Sequence, residues 1–269
     1  MESISGCGIG LRKEFLHEVK NFEHTPSWFE ITPENWITTP KSLKKDFESV
    51  VRDFPIVCHG VSLSIGSYEE LNIDFLKKLK TFLDDYEIEH YSEHISFSSL
   101  EGRQTYELLP IPMTQEMIQR VSQKVDFVQN FLQRELILEN ATYYYVPQSD
   151  MSEVDFINEL VKTSGAKLLF DVNNVYVNGF NHGFDVHEFI DKIDLERVAY
   201  YHVAGHLEYR EDLWIDTHGM KVKPEVWDLL EYTLKQKKAP VLLERDNNVP
   251  NMSAMMKEYN TMRAVYERV

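Results

Sequence analysis

Acidic, imidazole and amide side chains recur in this sequence at the ends of short apolar runs. The segment KLLFDVNN (167–174) joins three large apolar residues to Asp171, and Asn174 follows three positions later. A single Asp in this position is as typical of a turn or a helix N-cap as of a functional site. Only recurrence of the pattern along the chain would favour a chemical role.

The pattern does recur at most of the other apolar runs. The polar residues at these ends, in chain order, are Glu34 and Asn35, His59, Glu93 and His94, Glu139 and Asn140, Asp171 and Asn174, His202 and His206, Asp216 and His218, and Glu244. Histidine and carboxylate side chains suit divalent iron, zinc or manganese, and the lack of thiolates disfavours a structural zinc knot. Without cations, so many clustered carboxylates would repel and raise one another's pKa values. The pattern therefore predicts a metal site.

Individual residues are open to simpler interpretations. His59 by itself is compatible with a core histidine that is hydrogen-bonded to backbone. Glu139 lies within an apolar run, and because a buried Glu is rare unless paired, a ligand role is favoured there, as it is for Asp171 and Glu244. Asp216 and His218 fall on one side of an extended segment. The remaining histidines are interpreted as loop or substrate contacts at 182 and 206, and as surface or packing residues at 17, 24, 90 and 187. Tyr143, Tyr144 and Tyr145 either cover the cavity or pack in the core, and the core is the preferred interpretation.

Eight apolar runs alternate with amphipathic segments. Strands are predicted at 6–11, 27–32, 55–63, 88–95, 136–140, 167–172, 198–205 and 240–245, and helices at 41–54, 72–86, 114–132, 154–165, 186–197 and 224–238. Strict alternation indicates a parallel sheet, and eight units in 269 residues predict a (β/α)8 TIM barrel, formed by residues 1–269 as a single domain. An open doubly wound sheet is the alternative, but GCGIGLR (6–12) has the wrong glycine spacing for its phosphate-binding turn. A barrel gathers the carboxyl ends of its strands at one mouth.

Composition narrows the possible partners. The formal net charge of −16 disfavours nucleic acid and anionic membranes. The chain has two cysteines, Cys7 and Cys58, too few for a disulfide framework, so a reducing compartment is expected. The first residues lack the pattern of a signal peptide, and no apolar stretch reaches the length of a membrane span. A soluble, cytoplasmic protein is expected.

The motifs resemble those of a known family along almost the whole chain. The matching segments are GIGLR (8–12), FEITPENW (29–36), HGVSLSIGS (59–67), YSEHISFS (91–98), LLPIPMT (108–114), LENATYY (138–144), FDVNNVYVNGFNHGFD (170–185), YHVAGH (201–206), IDTHG (215–219) and LLERD (242–246). In this order they resemble the multinuclear non-haem iron-dependent oxidases, a family that includes methanobactin biosynthesis protein B. The resemblance implies a TIM barrel similar to xylose isomerase and endonuclease IV.

The resemblance also implies a site of two or three iron ions and the use of O₂. By the family pattern, Glu139, Asp171, His202 and Glu244 would form the catalytic centre and hold one ion. His59 and His94 would hold a second ion that Glu139 bridges, and Asn174, Asp216 and His218 a third. Asn174 stands where endonuclease IV-like barrels have His, which weakens the third position. Candidate substrate-binding residues are Glu34, Asn35, His206 and Asp246.

The implied substrate is a cysteine residue of a ribosomally made peptide, presented by a partner protein. Zinc or manganese stay open as alternatives to iron, because ligand type alone does not choose among these metals. The competing functions are a divalent-metal-dependent sugar isomerase, an endonuclease IV-like phosphodiesterase and a non-enzymatic metal-binding protein. The acidic charge argues against DNA as a substrate.

Overall fold

A computed structural model describes residues 4–19 and 26–269 of the chain. The strands of this described part are β1 (Cys7–Gly10), β2 (Trp28–Ile31), β3 (Ile56–His59), β4 (His90–His94), β5 (Phe97–Leu100), β6 (Arg103–Leu109), β7 (Leu136–Glu139), β8 (Lys167–Asp171), β9 (Val198–Val203), β10 (Leu207–Arg210), β11 (Leu213–Ile215) and β12 (Val241–Leu243). The helices are α1 (Lys41–Asp53), α2 (Ile73–Asp85), α3 (Gln115–Leu132), α4 (Glu153–Ser164), α5 (Val172–His182), α6 (Val186–Lys192), α7 (Pro224–Gln236) and α8 (Met252–Arg268).

Eight of the strands close into a parallel barrel, in the order β1-β12-β9-β8-β7-β4-β3-β2. Each barrel strand lies within one of the eight predicted runs, so the predicted TIM barrel is confirmed. The other four strands form two antiparallel hairpins, β5–β6 and β10–β11, which extend two of the loops at the mouth. No helix of residues 4–19 and 26–269 is long and apolar enough to cross a membrane.

Two helices were not predicted from the sequence. Helix α5 is rich in asparagine, which is a poor helix former, but the Asp171 side chain caps it by accepting from the Asn174 backbone amide at 2.8 Å. Its Gly179 allows α6 to approach, because a Cβ there would lie 2.3 Å from Val186 Cγ1. Helix α8 buries methionines and Tyr259 at helical spacing, a pattern that the sequence does contain.

The barrel interior is built in layers, because alternate residues of a strand point to the same face. The lower layer is a small cluster of buried residues: Trp28, Val57, Ile137, Leu169, Tyr200 and Leu242. Two positions further along the same strands, the side chains are polar and still buried: Glu30, His59, Glu139, Asp171, His202 and Glu244. Strand β4 has the buried polar residues Ser92 and His94 at these two levels. The alternation thus places a ring of polar, potentially metal-binding side chains directly above a mostly apolar layer.

Candidate metal centre

The first group of possible metal ligands consists of His59, His94 and Glu139, on β3, β4 and β7. Glu139 Oε2 lies 3.1 Å from His59 Nε2 and 3.0 Å from His94 Nε2. The two imidazole nitrogens are 3.2 Å apart. Three potential ligand atoms from three neighbouring strands therefore face one point.

The second group consists of Glu139, Asp171, His202 and Glu244, whose ligand atoms lie within 4.8 Å of one another. His202 Nδ1 is 2.9 Å from Glu244 Oε2 and 3.4 Å from Glu139 Oε1. Glu139 is thus shared with the first group through its other oxygen. These four residues are the set that the family resemblance implies for one ion.

The third group consists of His218, Glu244 and Asp246. His218 Nδ1 is 3.1 Å from Glu244 Oε2 and 3.2 Å from Asp246 Oδ2, while its Nε2 is 2.7 Å from Asp216 Oδ1. His218 has a φ of 46°, a left-handed conformation that is uncommon for a non-glycine residue and is concentrated at functional sites. The structure therefore adds Asp246, considered above only as a substrate contact, to the possible ligands.

Asn174, implied as a third-position ligand, is held by the protein itself. Its Oδ1 accepts from Thr142 Oγ1 at 2.9 Å, and its Nδ2 donates to the Asn140 carbonyl at 3.0 Å. It lines the cavity above the centre, as His218 of the third group does. Its ligand role stays a prediction.

The atoms that face the centre are suited to cations. Several of them are buried and make no hydrogen bond of normal geometry within the described part of the chain, and their nearest polar neighbours are other acidic and imidazole groups of the site: Glu139 Oε2, Asp171 Oδ2, His202 Nδ1, His218 Nε2 and Glu244 Oε2. Buried polar atoms that lack hydrogen bonds are destabilising, and cations bound between these atoms would satisfy them. The donor set and its geometry therefore fit divalent metal ions.

Electrostatics support the same interpretation. The pKa of Asp171 rises to about 8, because the carboxyl is buried and faces the carboxylates of Glu139 and Asp216. Burial lowers the pKa of His59, but the Glu139 carboxylate outweighs it and raises the pKa to about 9. The pKa of His202 also lies well above its usual range, because Glu30 and Glu244 outweigh its burial. Without metal, protons thus occupy the positions that cations would take.

A cavity of about 560 Å³ opens above the centre, and His59, His94, His218 and Glu244 contribute to its lining. Its other polar side chains are those of Arg12, Lys13, Glu14, Thr32, Asn35, Asn174, Asp216, Thr217, Asp246 and Asn247. Arg12 Nη2 donates to Asp246 Oδ1 at 2.5 Å. The ligand groups are therefore accessible from one side, as a reaction on an external substrate requires.

The candidate substrate-binding residues occupy different positions. Asn35 and Asp246 line the cavity. Glu34 Oε1 accepts from the Val61 backbone amide at 3.0 Å. His206 is 1% exposed, stacks on Trp214 and makes a 2.8 Å hydrogen bond with Asn173 Oδ1. A direct substrate contact by any of the four stays a prediction.

Of the other sequence interpretations, some hold and some do not. His17 and His187 are exposed and His90 is half-buried, as expected, whereas His24 lies outside the described residues. Tyr143 is buried, but the expectation that Tyr144 and Tyr145 lie in the core is wrong, since they are 49% and 70% exposed. The Tyr144 hydroxyl instead accepts from the Asp216 backbone amide at 2.9 Å, at the rim of the centre.

Sequence reasoning missed Glu30, which is 3% exposed and lies on β2. Its Oε2 is 3.0 Å from His202 Nε2 and accepts from the Tyr200 hydroxyl at 2.9 Å. The signal was present, because Glu30 interrupts the apolar segment WFEI as Glu139 ends LILE. The argument that a buried glutamate needs a partner applies to both residues.

Similar solved structures share the fold of this chain. The zinc-bound IOLI protein matches with a TM-score of 0.69 and 12% identity, over 98% of this chain and 99% of that one. Endonuclease IV from Thermus thermophilus matches with a TM-score of 0.64 and 17% identity, over 98% and 100%. D-psicose 3-epimerase matches with a TM-score of 0.62 and 10% identity, over 98% and 97%. The chain has the xylose isomerase-like TIM-barrel fold of these enzymes.

The particular family follows from closer matches. Residues 6–267 match the family described as RiPP precursor modification enzyme MbnB/TglH/ChrH, where RiPP denotes a ribosomally synthesised and post-translationally modified peptide. The chain is 38% identical over 269 residues to a UPF0276 protein of Acinetobacter baylyi, and this alignment covers 100% of the chain and 93% of the relative. A UPF0276 protein of Shewanella loihica is 42% identical over 255 residues, 94% of this chain and 91% of the relative. The chain belongs to this family of enzymes, and the resemblance drawn from its motifs is confirmed.

Proposed function

We propose that this protein is an iron-dependent oxidase that uses O₂ to modify cysteine residues of a ribosomally made precursor peptide. One observation carries the proposal: three groups of possible ligands are contiguous and share carboxylates. Glu139 belongs to the first and second groups, and Glu244 to the second and third. Carboxylates shared in this way are suited to a cluster of two or three ions rather than to a single ion.

The protein's own residues supply geometry and exclusion of water. When bound, the iron ions would lower the pKa of a substrate thiol and provide the electron transfer to O₂. Asp171, Glu139 and His202 are each at most 1% exposed, so bulk water is excluded from these three members of the second group. His94, like His59, His218 and Glu244, lines the cavity, which has room for a cysteine side chain and adjoining backbone. A substrate in the cavity would therefore meet the ligand groups through these side chains.

The family supports a peptide as the substrate. Its members are described as modifying RiPP precursors, and a cysteine side chain is small enough for the cavity. We include in the proposal a partner protein that presents the peptide, on the basis of the family resemblance. We also include a cytoplasmic location, which agrees with the free thiols of the buried Cys7 and Cys58.

The test begins with protein purified without oxygen. Elemental analysis and Mössbauer spectra should show two or three iron ions per chain, and O₂ uptake should depend on a cysteine-containing precursor peptide encoded by a neighbouring gene. Serine in place of the peptide cysteine is the control and should abolish uptake. Activity on a sugar or on abasic DNA with Mg²⁺ or Mn²⁺ in anaerobic buffer would instead select an isomerase or a phosphodiesterase. Zinc or manganese as the only bound metal would contradict the iron assignment.

A further inference from the structure

A chain of buried hydrogen bonds runs beneath the candidate centre, from one imidazole to another. His59 Nδ1 is 2.8 Å from Ser92 Oγ, which is 2.8 Å from the Tyr200 hydroxyl. The Tyr200 hydroxyl donates to Glu30 Oε2 at 2.9 Å, and His202 Nε2 lies 3.0 Å from the same oxygen. All five residues are at most 3% exposed. This network of hydrogen bonds is therefore shielded from solvent that could supply other partners.

The chemistry of the groups sets the direction of every bond in this chain. A carboxylate oxygen can only accept, so Tyr200 and His202 both donate to Glu30. The single hydroxyl hydrogen of Tyr200 is then used, so the 2.8 Å contact between Ser92 and Tyr200 is a hydrogen bond only if Ser92 donates. This bond is shorter than the 3.3 Å contact of Ser92 Oγ with the Cys58 carbonyl. Ser92 therefore accepts from His59, whose Nδ1 carries a hydrogen.

The direction decides which nitrogen each imidazole presents to the centre. With a hydrogen on Nδ1, His59 can offer the Nε2 lone pair, which faces Glu139 Oε2 at 3.1 Å. With a hydrogen on Nε2, His202 can offer the Nδ1 lone pair, which faces Glu244 Oε2 at 2.9 Å. The two histidines thus use opposite tautomers, and each is the tautomer that a metal ion in its group requires.

We propose that Glu30 is a positioning residue that sets the tautomers of His202 directly and of His59 through Tyr200 and Ser92, and so couples the first two ligand groups. The inference rests on the proposed function only in taking these groups to be metal sites. His94 provides an internal contrast, because its Nδ1 has no partner within residues 4–19 and 26–269. Its tautomer is therefore left to the metal.

The test uses zinc, which is diamagnetic and redox-inert, with ¹⁵N-histidine NMR and zinc-binding titrations. In zinc-loaded wild-type protein we expect two histidines with opposite tautomers, one protonated at Nδ1 and one at Nε2. Glu30→Leu removes the final acceptor, and should disturb both signals and weaken zinc binding about 10- to 100-fold, as is typical when a partner of a metal-binding histidine is lost. Glu30→Gln retains an acceptor oxygen and should recover most of the affinity. Ser92→Ala should alter the His59 signal and leave that of His202 unchanged.

Controls separate positioning from a general loss of structure. Glu153→Gln changes another glutamate that accepts from a tyrosine hydroxyl, at 3.0 Å from Tyr143, and should leave both histidine signals unchanged. If Glu30→Leu does not fold, Tyr200→Phe should still disturb His59 while sparing His202. Unchanged tautomers and zinc affinity in the Glu30 variants would overturn the inference. Wild-type protein that takes up no zinc would refute the metal site itself, whereas zinc uptake by a protein whose iron-loaded form lacks oxidase activity would bear on the proposed reaction alone.

Discussion

Glu139→Gln replaces the carboxylate that the first two ligand groups share, while it retains the volume of the side chain. In metal-free protein, the pKa of His59 stands at about 9 rather than 6.5, with Glu139 as its main partner. The stabilisation linked to this shift is fully present below pH 6.5 and is lost as the pH rises through 9. At pH 7 it amounts to about 2 to 3 kcal/mol, at about 1.4 kcal/mol per pKa unit.

The variant should therefore unfold more easily at pH 7, by about 2 kcal/mol, and the difference from wild type should shrink towards pH 9. Urea denaturation of chelator-treated protein at both pH values measures this. The same variant should lose more than one equivalent of metal, because Glu139 belongs to two groups. The matched control is Glu153→Gln, a half-buried glutamate outside the three groups, which should retain wild-type metal content. A Glu139→Gln protein with full metal content and an unchanged pH dependence would refute the bridging role.

Three further outcomes are expected. Because the pKa of Asp171 is about 8 without metal, metal uptake at pH 7 should release protons, and metal binding should strengthen as the pH rises. Calorimetry in buffers of different ionisation enthalpy measures the proton release, and no release would contradict this account. Asp246→Asn should remove up to one equivalent of metal and spare the first two groups; elemental analysis showing a larger loss would argue against a separate third group. Gly60→Ala should destabilise the fold by about 1 to 3 kcal/mol in thermal denaturation, since the new Cβ would lie 2.4 Å from Glu93 Oε1; wild-type stability would show that this contact relaxes freely.

Much of the barrel and its donors could be predicted from local sequence. Alternation of residues within a strand is a local property, so the apolar residue at 137 and the acid at 139 point to the same side whatever the rest of the chain does. The same reasoning reaches Asp171 and Glu244. Helix α5 could not be predicted in this way, because its asparagines disfavour a helix. The helix is stabilised instead by its Asp171 N-cap and by its packing against α6.

Only the tertiary structure decided which of these side chains come together in one ligand group or hydrogen bond. Glu30 and His202 are separated by 172 positions, and closure of the barrel brings β2 and β9 across its interior to a 3.0 Å contact. Asp246 joins His218 for the same reason, since the loop after β9 and the end of β12 meet at the mouth. Sequence alone determined which residues can act as metal ligands and on which face of each strand they lie. Which of them share an ion or orient a neighbour depends on distances across the barrel, and these follow from strand order and closure rather than from local spacing.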